Sequence, residues 1–179
     1  FSLTNEIDRM KTEKEIFSKK VDVLSSFGEL PKDLISVVNL IEKVQSDKLV
    51  FLPKSKLSSK ESKFQDVCSS WSLLWNMSTI LWTMVFKEKL DRTTLEKEFK
   101  NRTSFELSFR EGRMTNRDNK CHTLRTREYN GSIIDITPHC KIDKSKGQLR
   151  VHFYLDYKKE KIVIGHCGDH LENYSSLRN

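Results

Sequence analysis

Three closely spaced runs in the last third of the chain constrain its fold more than any other feature: IIDITPHCKI (133–142), LRVHFYL (149–155) and KIVIGH (161–166). Extended backbone sends successive side chains to opposite faces. In the first run this places Ile134, Ile136, Pro138, Cys140 and Ile142 on one side, and Asp135, Thr137, His139 and Lys141 on the other. In the second, Leu149, Val151, Phe153 and Leu155 oppose Arg150, His152 and Tyr154. If the apolar sides share one core, His139, Lys141, Arg150, His152 and Tyr154 stand together on an open face. Two cations, two imidazoles and a phenol suit an anionic substrate, and proton transfer beside a phosphate.

Upstream the grammar is helical. Ile7, Met10, Ile16, Val21 and Leu24 form an apolar stripe over Leu3–Phe27, with Gly28 as a stop. A second helix is expected from near Pro31 through DLISVVNLIEKV, then a short strand or buried turn at Leu49–Leu52. KSKLSSKESK (54–63) reads as an exposed linker. The most apolar helix comes next, about Phe64–Lys89, with Trp71, Trp75 and Trp82 on one face, a stripe expected in the core or against a partner. Thr93-Thr94-Leu95-Glu96 reads as a capping box. Phe105, Leu107 and Phe109 alternate, EGRMTNRDNK (111–120) reads as a polar basic loop, and Asn130-Gly131 signals a turn. The expected class is α+β, a helical N-terminal half followed by a small twisted antiparallel sheet packed on helices. The expected divisions are a helical region 1–53, a linker 54–63, and a helix plus sheet over 64–179.

The formal net charge is +7, and residues 101–179 carry 15 Lys and Arg against 10 Asp and Glu. The positive bias therefore lies with the β-rich part and favours a polyanion such as RNA. No run of about 18 apolar residues exists, so no membrane span is expected. The four cysteines form no CxxC pair and read as reduced thiols of a cytoplasmic protein. The chain opens on Phe1 rather than Met, which points to a longer protein whose start lies upstream.

His139, Cys140, His166, Cys167 and His170 include zinc-type ligands. Adjacent His-Cys pairs in a strand face opposite ways, however, so no metal site and no cofactor is expected, and Cys140 and Cys167 read as buried thiols. Cys167 beside His166 lacks any nucleophile-elbow pattern. The tail GHCGDHLENY turns tightly at its glycines and would bring His166, His170 and Tyr174 to the edge of the polar face.

In PHCKI, LRVHFYLDY, KEKIVIGH and GDHLENY the chain resembles the RelE/ParE superfamily of small bacterial toxins, within about residues 104–179. The resemblance implies a twisted antiparallel sheet on helices and RNA cleavage through a 2′,3′-cyclic phosphate without metal. It implies His139 and Lys141 as a basic pair, Arg150 as the phosphate-holding arginine, His166 or His170 as the acid/base, and Tyr174 as a base-stacking aromatic. The expected catalytic set is thus His139, Lys141, Arg150, His152, His166 and His170, with Tyr154, Arg125, Arg127 and Tyr174 binding substrate. The expected partners are RNA, free or as ribosome-bound mRNA, and an antitoxin or assembly partner on the N-terminal helices or the Trp71/Trp75/Trp82 face. The context would be a toxin or phage-defence effector. The alternative is a non-catalytic subunit that binds nucleic acid or docks onto a partner.

Overall fold

The computed structural model describes residues 30–144 and 147–176. The helix expected at Leu3–Phe27 lies outside the described residues. Lys32–Asn179 form one compact unit of α+β architecture, with no boundary at 54–63. Among the described residues no helix is long and apolar enough to cross a membrane.

Helix α1 (Leu34–Val44) starts where Asp33 accepts the Ser36 amide and the Ser36 hydroxyl returns to the Asp33 backbone. It buries Leu34, Val37, Val38 and Ile41 and leads into β1 (Leu49–Phe51). Pro53 opens α2 (Pro53–Glu61) at the position where a missing N–H costs nothing. The segment expected as a linker is therefore a docked helix, and its serines are the reason. β1 pairs in parallel with only Ile162, Val163 and Ile164 of β7 (Lys161–Gly168), which leaves the end of that strand without a partner on this side. Ser58 and Ser59 hydroxyls both donate to the Cys167 carbonyl, and the Cys167 amide donates to Ser58 Oγ. Side-chain hydroxyls thus replace a strand, because buried backbone groups must be paired.

Three helical segments then run on without a break: α3 (Val67–Asn76), a π-helical turn (Met77–Leu81) and α4 (Trp82–Phe86). Leu73, Leu74, Met77, Leu81, Met84 and Val85 supply the buried core, and Trp71 and Trp82 pack half-buried against it. The i→i+5 turn breaks the expected stripe by rotating the residues beyond it about the helix axis. Trp71 stacks on Trp75, which is 37% exposed. Trp82 stands apart, donating from Nε1 to the Glu160 carbonyl under the ammonium groups of Lys48 and Lys87. Helix α5 (Arg92–Thr103) is capped by Asp91, which accepts the Thr93 and Thr94 amides. The expected capping box is corrected: Glu96 instead accepts the Phe109 amide.

The main sheet has the order β1-β7-β6-β5-β2, with β2 (Glu106–Ser108), β5 (His139–Lys144) and β6 (Gly147–Asp156). All its pairs are antiparallel except β1–β7. On one face Leu107, Cys140, Ile142, Leu149, Val151, Phe153, Leu155, Ile162, Ile164 and Cys167 pack against the helices. The alternation read in LRVHFYL is the alternation present. The run 133–142, however, is not one strand. It ends as β4 (Ser132–Asp135), crosses at 136–138 and resumes as β5, because β4 pairs with β3 (Thr126–Tyr129) in a separate hairpin. That hairpin turns at Asn130 and Gly131, both with positive φ, as expected. Ile134 and Ile136 therefore leave the main core and join Leu52 and Val163 in a second cluster on the opposite face. The segment expected as loop 111–120 holds two short helices, α6 (Arg113–Arg117) and α7 (Asn119–Leu124).

The docking of α2 is testable at Gly168. A Cβ there would lie 2.7 Å from the Ser58 carbonyl oxygen and 3.1 Å from its carbon, an obstacle made of backbone. Gly168→Ala is expected to cost about 1–3 kcal/mol, as overpacking does. The loss is read as a lower urea midpoint at unchanged m. Gly112→Ala, whose added methyl would approach nothing closer than Thr115 Oγ1 at 4.0 Å, is the control. Equal midpoints for the two variants would contradict the packing.

Candidate functional site: a buried histidine row

Strand pairing gathers three imidazoles into one row. His139 and His152 are direct partners across β5–β6, and His152 and His166 across β6–β7. Ring centroids lie 4.8 Å apart in the first pair and 5.7 Å in the second. Simple alternation along KIVIGH would have put His166 with Ile162 and Ile164, facing the helices. A bulge prevents this: His152 faces His166 while Phe153 already faces Ile164, so Gly165 is the extra residue. Only glycine fits there, because a Cβ would meet Ile136 Cγ2 at 2.7 Å and Cδ1 at 2.8 Å. Arg127 Nε donates to the Gly165 carbonyl, which pairs a backbone group exposed by the bulge.

The face is not open. His139, His152, His166 and Arg150 are buried, His152 at 2% exposure. The β3–β4 hairpin and its cluster lie over one end of the face, while the segment carrying Glu111 and the tail contribute at the row. Arg125, 2% exposed, ties these pieces together. Its Nε donates to Glu111 Oε1 at 2.9 Å, and its Nη1 donates to the Cys121 and Glu172 carbonyls. Its Nη2 is buried without a hydrogen-bond partner. Thr115 Oγ1 accepts the Tyr174 amide, fixing the tail to α6.

Each imidazole has one nitrogen committed to a backbone carbonyl. His139 Nδ1 donates to Thr137 O at 3.0 Å, His152 Nδ1 to Ile136 O at 3.1 Å, and His166 Nε2 to Asp169 O at 2.7 Å. Donation at one nitrogen leaves a lone pair on the other while the ring is neutral. Burial favours that neutral form. It lowers the pKa of His139, drives that of His152 well below its usual value, and brings His166 to about 4. Nearby cations and the neighbouring rings push His152 the same way.

The other expected residues separate from the row to different degrees. Lys141 and Arg150 face each other across β5–β6, on the same side and next to it. Each is held by a carboxylate: Lys141 by Glu106 at 2.8 Å, and Arg150 by Asp143 at 2.8 Å with further bonds to the Ile142 and Leu149 carbonyls. The hydrogen bonds and charges of Lys141 and Lys100 hold the Glu106 carboxyl down at about 2. His170 is exposed and lines a separate depression with Lys63, Phe64 and Gln148. Arg127 is half-buried on backbone carbonyls. Tyr154 lines a cleft of about 500 Å³ with Arg92, Phe109, Arg110, His122 and Tyr157. The cleft reaches the row through Thr137 and Pro138. Glu111 was not expected at all. It sits in a stretch without apolar periodicity, which gives no sign of folding inward. Cys140 and Cys167 lie in the core, as expected, where burial pushes both thiols up, Cys167 to about 12.

The neutral row sets a pH dependence. In the unfolded chain a histidine titrates near 6.5, whereas folded His166 resists protonation to about 4. Below pH 6.5 the unfolded state binds the proton that the folded state refuses, so stability is lost as pH falls. His166 alone is expected to cost about 2 kcal/mol between pH 7 and pH 5. Urea denaturation of His166→Gln, whose amide can still donate to Asp169, should show a shallower fall over that range. Equal slopes for the two proteins would contradict a buried neutral ring.

Compared with known proteins, the chain matches no family model, no curated protein and no solved structure.

Proposed function

We propose that the protein is a metal-independent endoribonuclease whose acid–base centre is the His139–His152–His166 row. The observation that carries this reading is the geometry of the row. Three imidazoles stand in line across paired strands, each with one nitrogen held by a backbone carbonyl, and burial favours the neutral form, which leaves the other nitrogen a lone pair that can take a proton. Cleavage without metal uses the ribose 2′-OH as nucleophile: one ring takes its proton as the 2′-oxygen bonds to phosphorus, and the imidazolium so formed returns a proton to the 5′-oxygen as its bond to phosphorus breaks. The adjoining cleft suits a single-stranded nucleotide. Tyr154 and Tyr157 offer faces for a base, and Arg92 and Arg110 offer charge for the backbone. This keeps the likeness to the RelE-type toxins as part of the proposal, with one change of roles. Lys141, Arg150 and Arg125 all have carboxylate partners, but Arg125 keeps Nη2 without one, so the phosphate would be held there and by the cleft arginines.

A second reading, binding of RNA without cleavage, is favoured by the burial of His152, since a scissile phosphate reaches that ring only if what covers it moves aside. Labelled single-stranded RNA separates the two. In EDTA the purified chain is expected to yield products ending in 2′,3′-cyclic phosphate and to leave the matching DNA uncut. His152→Gln should lower the rate a hundredfold or more, the typical contribution of a general acid or base. Arg110→Ala and Tyr157→Ala, at exposed positions, should raise KM more than they lower kcat. Salt-sensitive retardation of RNA by the wild-type chain with no product would replace the nuclease by the binding module.

A further inference from the structure

We propose that Glu111, His139 and His152 form a binding site for a first-row transition-metal dication, with zinc the best match to the ligand set. One donor atom from each of the three residues can be chosen so that all lie within 4.8 Å of one another. Glu111 Oε1 lies 3.9 Å from the His139 ring at Nδ1, the nitrogen that donates to Thr137 O and so leaves Nε2 to ligate, and both side chains are almost nine-tenths buried. Zinc holds imidazole nitrogen and carboxylate oxygen at about 2.0–2.2 Å, which places tetrahedral ligands about 3.3 Å apart. Closing the cluster onto an ion therefore takes movements of roughly 1 Å.

The surroundings are those of a ligand set. His139 and His152 project from directly paired positions on adjacent strands, so the sheet sets their spacing. His152 donates Nδ1–H to the Ile136 carbonyl, the second interaction that orients a metal-binding imidazole and leaves Nε2 to ligate. Two nitrogens and one carboxylate favour zinc, cobalt or nickel over magnesium or calcium, which take oxygen ligands. Three protein ligands leave a fourth position open, as in sites that bind an exchangeable group. Arg125 opposes a dication by its charge. It is paired with Glu111, whose carboxylate has lone pairs enough for both partners. The expected affinity is weaker than that of a closed structural zinc site.

This inference goes beyond the nuclease reading and does not depend on it. If both hold, zinc occupies lone pairs that would otherwise carry protons, and the loaded protein is the silent form.

The test is calorimetric titration of the full chain, freed of metal by EDTA and dialysis, with Zn²⁺ alone. One equivalent should bind, with no heat for Mg²⁺. Co²⁺ in place of Zn²⁺ should give visible absorption bands of a four- or five-coordinate ion. Glu111→Gln and His152→Gln should each weaken binding at least tenfold, while His122→Gln and His170→Gln, both exposed, should leave it unchanged. Should the buried variants fail to fold, the Co²⁺ spectrum of the wild-type chain decides on its own, because an octahedral hexaaqua-like spectrum overturns the site. Absence of Zn²⁺ binding, or binding lost in the His122 or His170 variants, also overturns it. Zinc binding with no RNA cleavage by the metal-free chain in EDTA refutes only the nuclease, and cleavage in EDTA without zinc binding refutes only the metal site.

Discussion

The pairing of β6 with β7 through the bulge at Gly165 is the constraint on which the candidate site depends. Before the bulge β7 presents Ile162 and Ile164 to the helices, and after it Cys167 occupies the same face. One extra residue thus converts a strand that would bury His166 among aliphatics into one that sets it opposite His152. The conversion needs a residue without a side chain at 165, because Ile136 fills the space above. It also needs a donor for the bulge's carbonyl, which Arg127 supplies. The second hydrophobic cluster, the hairpin that carries it and the histidine row are therefore parts of one arrangement.

Charge on the same face is neutralised before it can act at long range. Lys141 is matched by Glu106, Arg150 by Asp143 and Arg125 by Glu111. A buried ion is tolerable only with such a partner, because desolvation outweighs what an unpaired charge gains from its surroundings. What remains unpaired at the row is not net charge but lone pairs on neutral rings and the Nη2 protons of Arg125. Those groups move protons or bind a metal. They do not by themselves attract a polyanion, and long-range attraction falls to exposed cations such as Arg92 and Arg110 at the neighbouring cleft.

Serine is the least conspicuous contributor. Ser58 and Ser59 look like linker residues because they are small and polar and sit among lysines. They serve instead as strand partners for Cys167, and the expected exposed linker is a helix closing the sheet's edge. The tryptophan stripe packs against the core at Trp71 and Trp82 but is divided, for the converse reason. Its spacing assumes an unbroken α-helix, and a π-helical turn between Asn76 and Trp82 places Trp82 in a different setting from Trp71 and Trp75.

Legibility followed the range of the interactions involved. The α+β class, the β6 alternation, the Asn130-Gly131 turn and the inward cysteines could be read from residues within one strand or turn, since side-chain parity and turn dihedrals are local properties. Parity also put His139, Lys141, Arg150 and His152 on one face correctly. It failed for His166 and for the 133–142 run, because a bulge and a strand crossing are set by what the neighbouring chain offers. It was silent on Glu111, and it left the face open where the hairpin and tail cover it. Sequence by itself determined the two sides of β5 and β6. Tertiary structure alone decided that the imidazoles there are buried, neutral and joined by a carboxylate, because burial depends on segments far away in the chain that no local pattern encodes.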